Sequence, residues 1–166
     1  MVNQRFSTEQ VWDFLSEIPD PEIPVITIIE LGVVRDVALT EKKAIITITP
    51  TYTGCPAMKL FEDEIIKKLN NEGIDEVDIK MVYSPAWTTD WMSDEAKEKL
   101  RQYGIAPPVD GTADKGVLFE AGPRIVQCPR CRSNHTTLKS QFGSTACKAL
   151  YTCDDCLEPF EYFKCI

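Results

Sequence analysis

Four cysteines, set as two close pairs, constrain this 166-residue chain more than any other feature of its sequence. The pairs are Cys128-Pro129-Arg130-Cys131 and Cys153-Asp154-Asp155-Cys156, with 21 residues between them. A C-x2-C turn directs both sulfurs at one ion, and a spacer of this length allows an antiparallel hairpin to bring the second pair to the first. We therefore expect one closed four-sulfur site that holds structural zinc.

Other chemistries also use paired cysteines, namely a single iron in the same sulfur cage, an iron-sulfur cluster, or disulfides. Disulfides are the least favoured of these, because residues 1–14 carry charges and lack the apolar core of a signal peptide. We expect a cytoplasmic protein whose thiols stay reduced. Iron remains the alternative to zinc.

The charge of the chain argues against a nucleic-acid partner. Its formal net charge is -8 and its pI is about 4.7, whereas neutralising phosphates requires clustered Lys and Arg side chains. No run reaches the roughly 18 apolar residues that a membrane span needs, so we expect no membrane partner. The sequence leaves the oligomeric state open, a homo-oligomer included.

The N-terminal part of the sequence begins with a helix signal and continues with strand signals. The capping-box pattern at 7–10 precedes apolar residues at helical spacing and predicts a helix over 8–18. The β-branched stretches 33–39 and 44–49 predict a hairpin, and 77–82 predicts a third strand.

Two further helices complete this domain. Pro56 is placed at the start of a second helix, and Ser93 caps a third that ends at Gly104. The order of elements, α-β-β-α-β-α, predicts an α+β domain with a small mixed sheet over residues 1–105.

The rest of the chain is predicted to be a linker and a second domain. Glycines and prolines interrupt any periodicity over 106–127 and indicate the linker. A β zinc ribbon follows over 128–166, with strands near 136–142, 148–151 and 160–163. The metal explains how so short a domain can fold.

Cys55 is the second candidate for chemistry, because it follows Gly54 at the predicted start of a helix. Unpaired backbone N–H groups and the helix dipole favour a thiolate there, which would be nucleophilic or metal-binding. A single cysteine in this position is also typical of a small buried apolar residue. Asp20 and Glu22 lie in a proline-stiffened loop that could present carboxylates to a site, although acidic residues in such loops are usually solvated or capping.

Several other residues stay ambiguous at the level of sequence. Trp87 and Trp91 indicate either core anchors or a partner surface. Cys147 and Cys165 lie outside the two pairs and could be core residues, replacement ligands or part of a second site. His135 is the only histidine, so the chain alone cannot build the usual carboxylate-bridged di-iron centre.

Four motifs carry a resemblance to known proteins. Asp20-Pro21-Glu22-Ile23-Pro24-Val25 and Thr51-Tyr52-Thr53-Gly54-Cys55-Pro56-Ala57 are similar to motifs of the small iron-sulfur assembly factors, the family that includes SufT. The tryptophan motif 86–92 and the tail 142–166 resemble the PaaD family of phenylacetate-degradation proteins within it.

The PaaD resemblance implies a bacterial, cytoplasmic accessory protein that is not itself an enzyme. It implies maturation of a metal centre or iron-sulfur cluster for the oxygenase that epoxidises the ring of phenylacetyl-CoA. The oxygenase and reductase subunits of that system would be the partners, and they would hold the di-iron, flavin and iron-sulfur groups.

The resemblance also implies residue roles. Cys55 would be the functional thiol and would bind iron or a cluster transiently, with Asp20, Glu22 and Thr53 lining the same surface. The alternative is a non-catalytic structural subunit of the oxygenase that uses its tryptophans and aromatic tail as contact surface. A third hypothesis, Cys55 as an enzymatic nucleophile, would need an activating base.

Overall fold

A computed structural model of the protein describes residues 6–41, 43–109 and 125–164. The chain forms two compact units, Met1–Trp87 and Thr88–Ile166. The helix that was expected to close a domain over 1–105 therefore groups with the C-terminal unit. Most of the predicted linker, 106–127, lies outside the described residues.

Two helices cover the sheet of the N-terminal unit. Helix α1 spans Thr8–Ser16, and helix α2 spans Ala57–Asn71. The predicted capping box is confirmed, because the Ser7 hydroxyl accepts the Gln10 N–H at 3.2 Å while the Gln10 side chain accepts the Ser7 N–H at 2.9 Å.

The sheet of this unit is mixed, as the sequence predicts. Strands β1 (Val34–Leu39), β2 (Ala44–Ile48) and β3 (Val77–Met81) lie in the order β1-β2-β3. The β1-β2 hairpin is antiparallel, and β2 pairs in parallel with β3, since α2 forms the crossover that a parallel pair requires. The core consists of alternate residues of β2 together with apolar residues of both helices: Ala44, Ile46, Ile48, Val11, Leu15, Phe61 and Ile65.

The C-terminal unit begins with helix α3, Asp94–Tyr103. The Ser93 hydroxyl caps it by accepting the Ala96 N–H at 3.0 Å. The helix ends at Gly104, whose φ of 96° places it in the left-handed region that glycine tolerates best.

A four-stranded sheet in the order β4-β7-β6-β5 forms the rest of this unit. Strand β4 is the short segment Ile105–Ala106, β5 spans Thr136–Ser140, β6 spans Lys148–Cys153 and β7 spans Pro159–Phe163. Strands β5, β6 and β7 form the predicted antiparallel ribbon. The sequence did not predict β4, which pairs in parallel with β7 and is too short to show a strand pattern.

No helix within the described parts of the chain is long and apolar enough to cross a membrane.

Candidate functional site

The structure brings the four paired cysteines together in the C-terminal unit. Their sulfurs all lie within 4.8 Å of one another, with Cys128 Sγ 3.8 Å from Cys156 Sγ and Cys131 Sγ 3.5 Å from Cys153 Sγ. A regular tetrahedron with metal-sulfur bonds of about 2.3 Å has edges of about 3.8 Å, whereas a disulfide needs about 2.05 Å. The sulfurs therefore fit one tetrahedral ion, and none of the six cysteines in the described residues forms a disulfide.

Each cysteine pair lies in a tight turn of the same design. We call residues 128–133 the first knuckle and residues 153–158 the second knuckle. In each one, the first cysteine donates its N–H to the carbonyl five residues later, and its own carbonyl accepts the N–H of the residue after the second cysteine. The bonds are Cys128 to Ser133 at 2.9 Å, Arg132 to Cys128 at 3.0 Å, Cys153 to Glu158 at 3.0 Å and Leu157 to Cys153 at 3.0 Å.

Backbone N–H groups, burial and the neighbouring sulfurs shift the pKa values of Cys153 and Cys131 in opposite directions. The backbone N–H of Cys156 is the main cause that lowers the pKa of the Cys153 thiol, to about 7. For Cys131, the backbone N–H of Ser133 lowers the pKa, but burial and the neighbouring sulfurs outweigh it and raise the pKa to about 12. A divalent cation would offset the repulsion that keeps these thiols from ionising together.

The Cys55 loop leaves strand β2 and enters helix α2. Gly54 has a φ of 80°, a conformation that a side chain would disfavour, and a Cβ there would contact nothing within 4 Å. This glycine lets the chain turn so that the Cys55 N–H donates to the Tyr52 carbonyl at 3.2 Å. Cys55 is only 9 % exposed.

Cys55 lies two residues before the first residue of α2 in the chain. The helix begins at Ala57, and no side chain caps its N-terminus, so this end retains backbone N–H groups that can face a negative charge. The Thr51 hydroxyl donates to Cys55 Sγ at 3.8 Å. Thr49, just before the loop, has a buried hydroxyl without a hydrogen-bond partner among the described residues.

Asp20 has the capping role that the sequence left open as an alternative. Its Oδ1 accepts the N–H groups of Glu22 and Ile23, both at 2.7 Å, and the residue is buried. This carboxylate stabilises its own loop. This role is typical of an Asp at the start of a proline-containing turn. Glu22 is half-buried, and Thr53 is exposed in the Cys55 loop.

The two tryptophans have different environments. Trp87 is 3 % exposed, and its Nε1 donates to the Leu31 carbonyl at 2.9 Å. It thus anchors the core of the N-terminal unit and contributes no contact surface in this conformation. Trp91 ends a short 3-10 helix, Thr89–Trp91, and is half-buried.

Cys147 and His135 lie outside the four-cysteine cluster. Cys147 is buried in the C-terminal unit, with its Sγ 3.1 Å from the Thr145 hydroxyl. His135 is exposed, and its Nδ1 lies 3.3 Å from Asp155 Oδ1. Cys165 falls outside the described residues.

Family models match both parts of the chain. The model described as "Iron-sulfur cluster assembly protein" matches residues 8–81. The model described as "PaaD zinc beta ribbon domain" matches residues 113–164. The two matches correspond to the mixed α/β unit and to the ribbon that carries the cysteine cluster.

Similar proteins fall into a full-length group and an N-terminal group. An Escherichia coli protein, named as one of the subunits of a "Putative 1,2-phenylacetyl-CoA epoxidase", is 51% identical over 95% of this chain and 92% of its own length. A Bacillus subtilis protein named an Fe-S protein maturation auxiliary factor is 36% identical over 55% of this chain and 91% of its own length. A crystal structure of a domain of unknown function from Bacillus anthracis has a TM-score of 0.52 at 32% identity, covering 56% of this chain and 90% of that one.

Proposed function

Since the chain belongs to the PaaD family, we propose that it is a cytoplasmic accessory protein that matures a metal centre of the oxygenase system epoxidising phenylacetyl-CoA. The similarity of residues 8–81 to iron-sulfur cluster assembly proteins supports maturation rather than oxygenase chemistry. The oxygenase and reductase subunits of that system are its partners. The chain itself is not the catalyst.

Cys55 is the thiol that receives iron or an iron-sulfur cluster as cargo. The observation that carries this role is its position beside the uncapped N-terminus of α2, on a loop that Gly54 shapes. Thiolates are the ligands that iron-sulfur clusters use. Because Cys55 is almost fully buried, its sulfur binds iron or a cluster only after the loop opens. Such binding is transient. Thr53 and Glu22 border the loop in this proposal, while Asp20 maintains its own turn.

The ion of the cysteine cluster is zinc, and its role is structural. Four thiolates leave a tetrahedral ion without an open coordination position, so the ion has no free position for a substrate. Metal analysis of protein purified without air is expected to give one zinc per chain. Iron together with inorganic sulfide in that position would contradict the assignment.

Anaerobic reconstitution tests the role of Cys55. The zinc-loaded protein, incubated with iron and sulfide, is expected to develop charge-transfer absorption that a Cys55→Ser variant lacks. Cys147→Ser is the matched control, because Cys147 is also a buried cysteine outside the cluster. Equal absorption from the wild type and Cys55→Ser would exclude Cys55 as the ligand.

A non-catalytic structural subunit is the second candidate. It is favoured by Phe142 in the C-terminal unit, an aromatic residue that is 62% exposed and could contact a partner. Turnover by separately purified, preloaded oxygenase and reductase distinguishes the two. Full activity without this chain supports maturation. Immediate loss of activity, restored by adding the chain back, supports a working subunit.

A further inference from the structure

Two side-chain contacts run directly between the first knuckle and the second knuckle. Arg130 Nη1 donates to Glu158 Oε1 at 2.6 Å, and we call this contact the first clasp. The Ser133 hydroxyl donates to the carboxylate of Asp155, and we call this contact the second clasp. Both clasps lie outside the four sulfur ligands.

The clasps are related by the same approximate two-fold symmetry as the backbone bonds of the knuckles. Arg130 and Asp155 are each the third residue of a C-x2-C pair, and Glu158 and Ser133 each lie two residues beyond the second cysteine. Each clasp therefore joins the residue just before the second cysteine of one knuckle to the residue two positions after the second cysteine of the other. Both carboxylates come from the second knuckle, and both donors come from the first.

We propose that the two clasps are positioning contacts that hold the four sulfurs at the spacing of a tetrahedral ion and so slow the loss of that ion. Each knuckle supplies two of the four ligands, so the ion can leave only when the knuckles separate or when sulfurs detach one by one. Both routes are easier when the knuckles can move apart. The inference depends on metal binding by the cluster and is independent of any role of Cys55.

The exposure of the clasps limits the size of the effect. The Arg130 side chain is 68% exposed and that of Glu158 is 45% exposed, and an exposed ion pair changes an equilibrium by at most about five-fold. Contacts that orient metal ligands typically change metal affinity by about 10-fold to 100-fold. We therefore expect about a five-fold change for each clasp and about 20-fold for both together.

The test measures zinc loss from the full-length, zinc-loaded protein into an excess of a chromogenic chelator. Glu158→Ala and Ser133→Ala each remove one clasp without touching a ligand, and the double variant removes both. Release is expected to be about five-fold faster in each single variant and about 20-fold faster in the double variant. Glu64→Ala is the matched control, because Glu64 is an exposed carboxylate 3.5 Å from Lys67 in the other unit. Its release rate is expected to equal that of the wild type.

Two further measurements separate positioning from general weakening of the fold. Cobalt bound in place of zinc is expected to show the same ligand-field spectrum in the variants, since the same four sulfurs bind it. Exchanging the charges, Arg130→Glu together with Glu158→Arg, is expected to restore slow release, and Ser133→Thr to preserve it. Two outcomes would overturn the proposal. One is unchanged zinc release in the double variant, and the other is fast release from both the charge-exchanged variant and Ser133→Thr.

Discussion

Arg132 and Leu157 occupy equivalent positions, each directly after the second cysteine of its pair, with φ angles of 63° and 62°. The left-handed conformation costs a residue with a side chain about 1–2 kcal/mol. This φ orients the part of the chain that follows, so that the carbonyl of the next residue, Ser133 or Glu158, accepts the N–H of the first cysteine. Each knuckle of the metal site therefore contains one residue with a strained backbone, Arg132 in the first and Leu157 in the second.

Replacing Leu157 by glycine is expected to stabilise the zinc-loaded protein. Glycine removes the strain, and its larger freedom in the unfolded chain offsets about 0.5–1 kcal/mol of that gain, leaving a net increase of about 0.5–1 kcal/mol. Little burial is lost, since Leu157 is 75% exposed. Urea unfolding with excess zinc measures the change.

Lys139→Gly is the control for this substitution, because Lys139 is exposed in strand β5, outside the left-handed positions. Glycine there is expected to lower the unfolding free energy by about 0.5–1 kcal/mol. A loss of stability in both variants would show that the knuckle stores no strain at Leu157.

Removing the metal is expected to loosen the ribbon selectively. The cluster joins the two knuckles beside β6 and β7, and such short structural sites depend on the ion for folding. Chelation of the wild type, or Cys153→Ser, is expected to accelerate amide exchange throughout β6 and β7. Exchange in β2, within the other unit, serves as the internal control and is expected to stay slow. Slow exchange in β6 after complete metal removal would contradict this dependence.

Asp20→Ala is expected to destabilise the N-terminal unit by about 2–3 kcal/mol, because hydrogen bonds to a charged group contribute about 1.5–3 kcal/mol. The variant removes the acceptor of two N–H groups. Asp20→Asn keeps an acceptor oxygen and is expected to lose less than half as much. Denaturant unfolding of both variants checks the order, and a larger loss for Asn than for Ala would refute the hydrogen-bond explanation.

Trp87→Phe is expected to cost about 1–3 kcal/mol, because it leaves the Leu31 carbonyl buried without its donor. Trp91→Phe, at a half-buried position, is the control and is expected to change stability by less than about 0.5 kcal/mol. Comparable losses in the two variants would argue against a special role for the Trp87 hydrogen bond.

Local signals predicted most of the elements but few of the long-range contacts. The caps at Ser7 and Ser93 and the paired cysteines are short patterns, so the helix starts and the metal cluster were accessible from the sequence. Strand β4 pairs with a strand more than 50 residues away, and its two residues show no periodicity. The grouping of α3 with the ribbon could not be predicted either.

The side chains around the sites show the same limit. The sequence left Asp20 as a site carboxylate, a solvated residue or a capping residue, and only its contacts with two neighbouring N–H groups identify the capping role. The burial of Trp87 depends on Leu31, a partner 56 residues away. The clasp between Arg130 and Glu158 also joins distant positions, and composition or spacing contains no information on such a pairing.

The ion pair of Glu161 and Lys148 gives the C-terminal unit a predictable response to acid. Glu161 Oε2 lies 3.2 Å from Lys148 Nζ, and its Oε1 accepts the Ser144 N–H at 2.8 Å. Burial alone would raise the pKa of Glu161, but the Ser144 N–H and the Lys148 ammonium outweigh it and hold the pKa below its ordinary value of 4.5.

Because the folded-state pKa of Glu161 is the lower one, its stabilising contribution is present above about pH 4.5 and is lost as the pH falls through the folded-state pKa. Amide exchange at Gly143, whose N–H donates to the Lys148 carbonyl at 2.6 Å, is expected to accelerate over that interval beyond its intrinsic pH dependence. Glu161→Gln is expected to lack this additional acceleration. Acid also protonates the thiolates of the cluster in both proteins, so the difference between them isolates Glu161, and identical profiles would rule out its contribution.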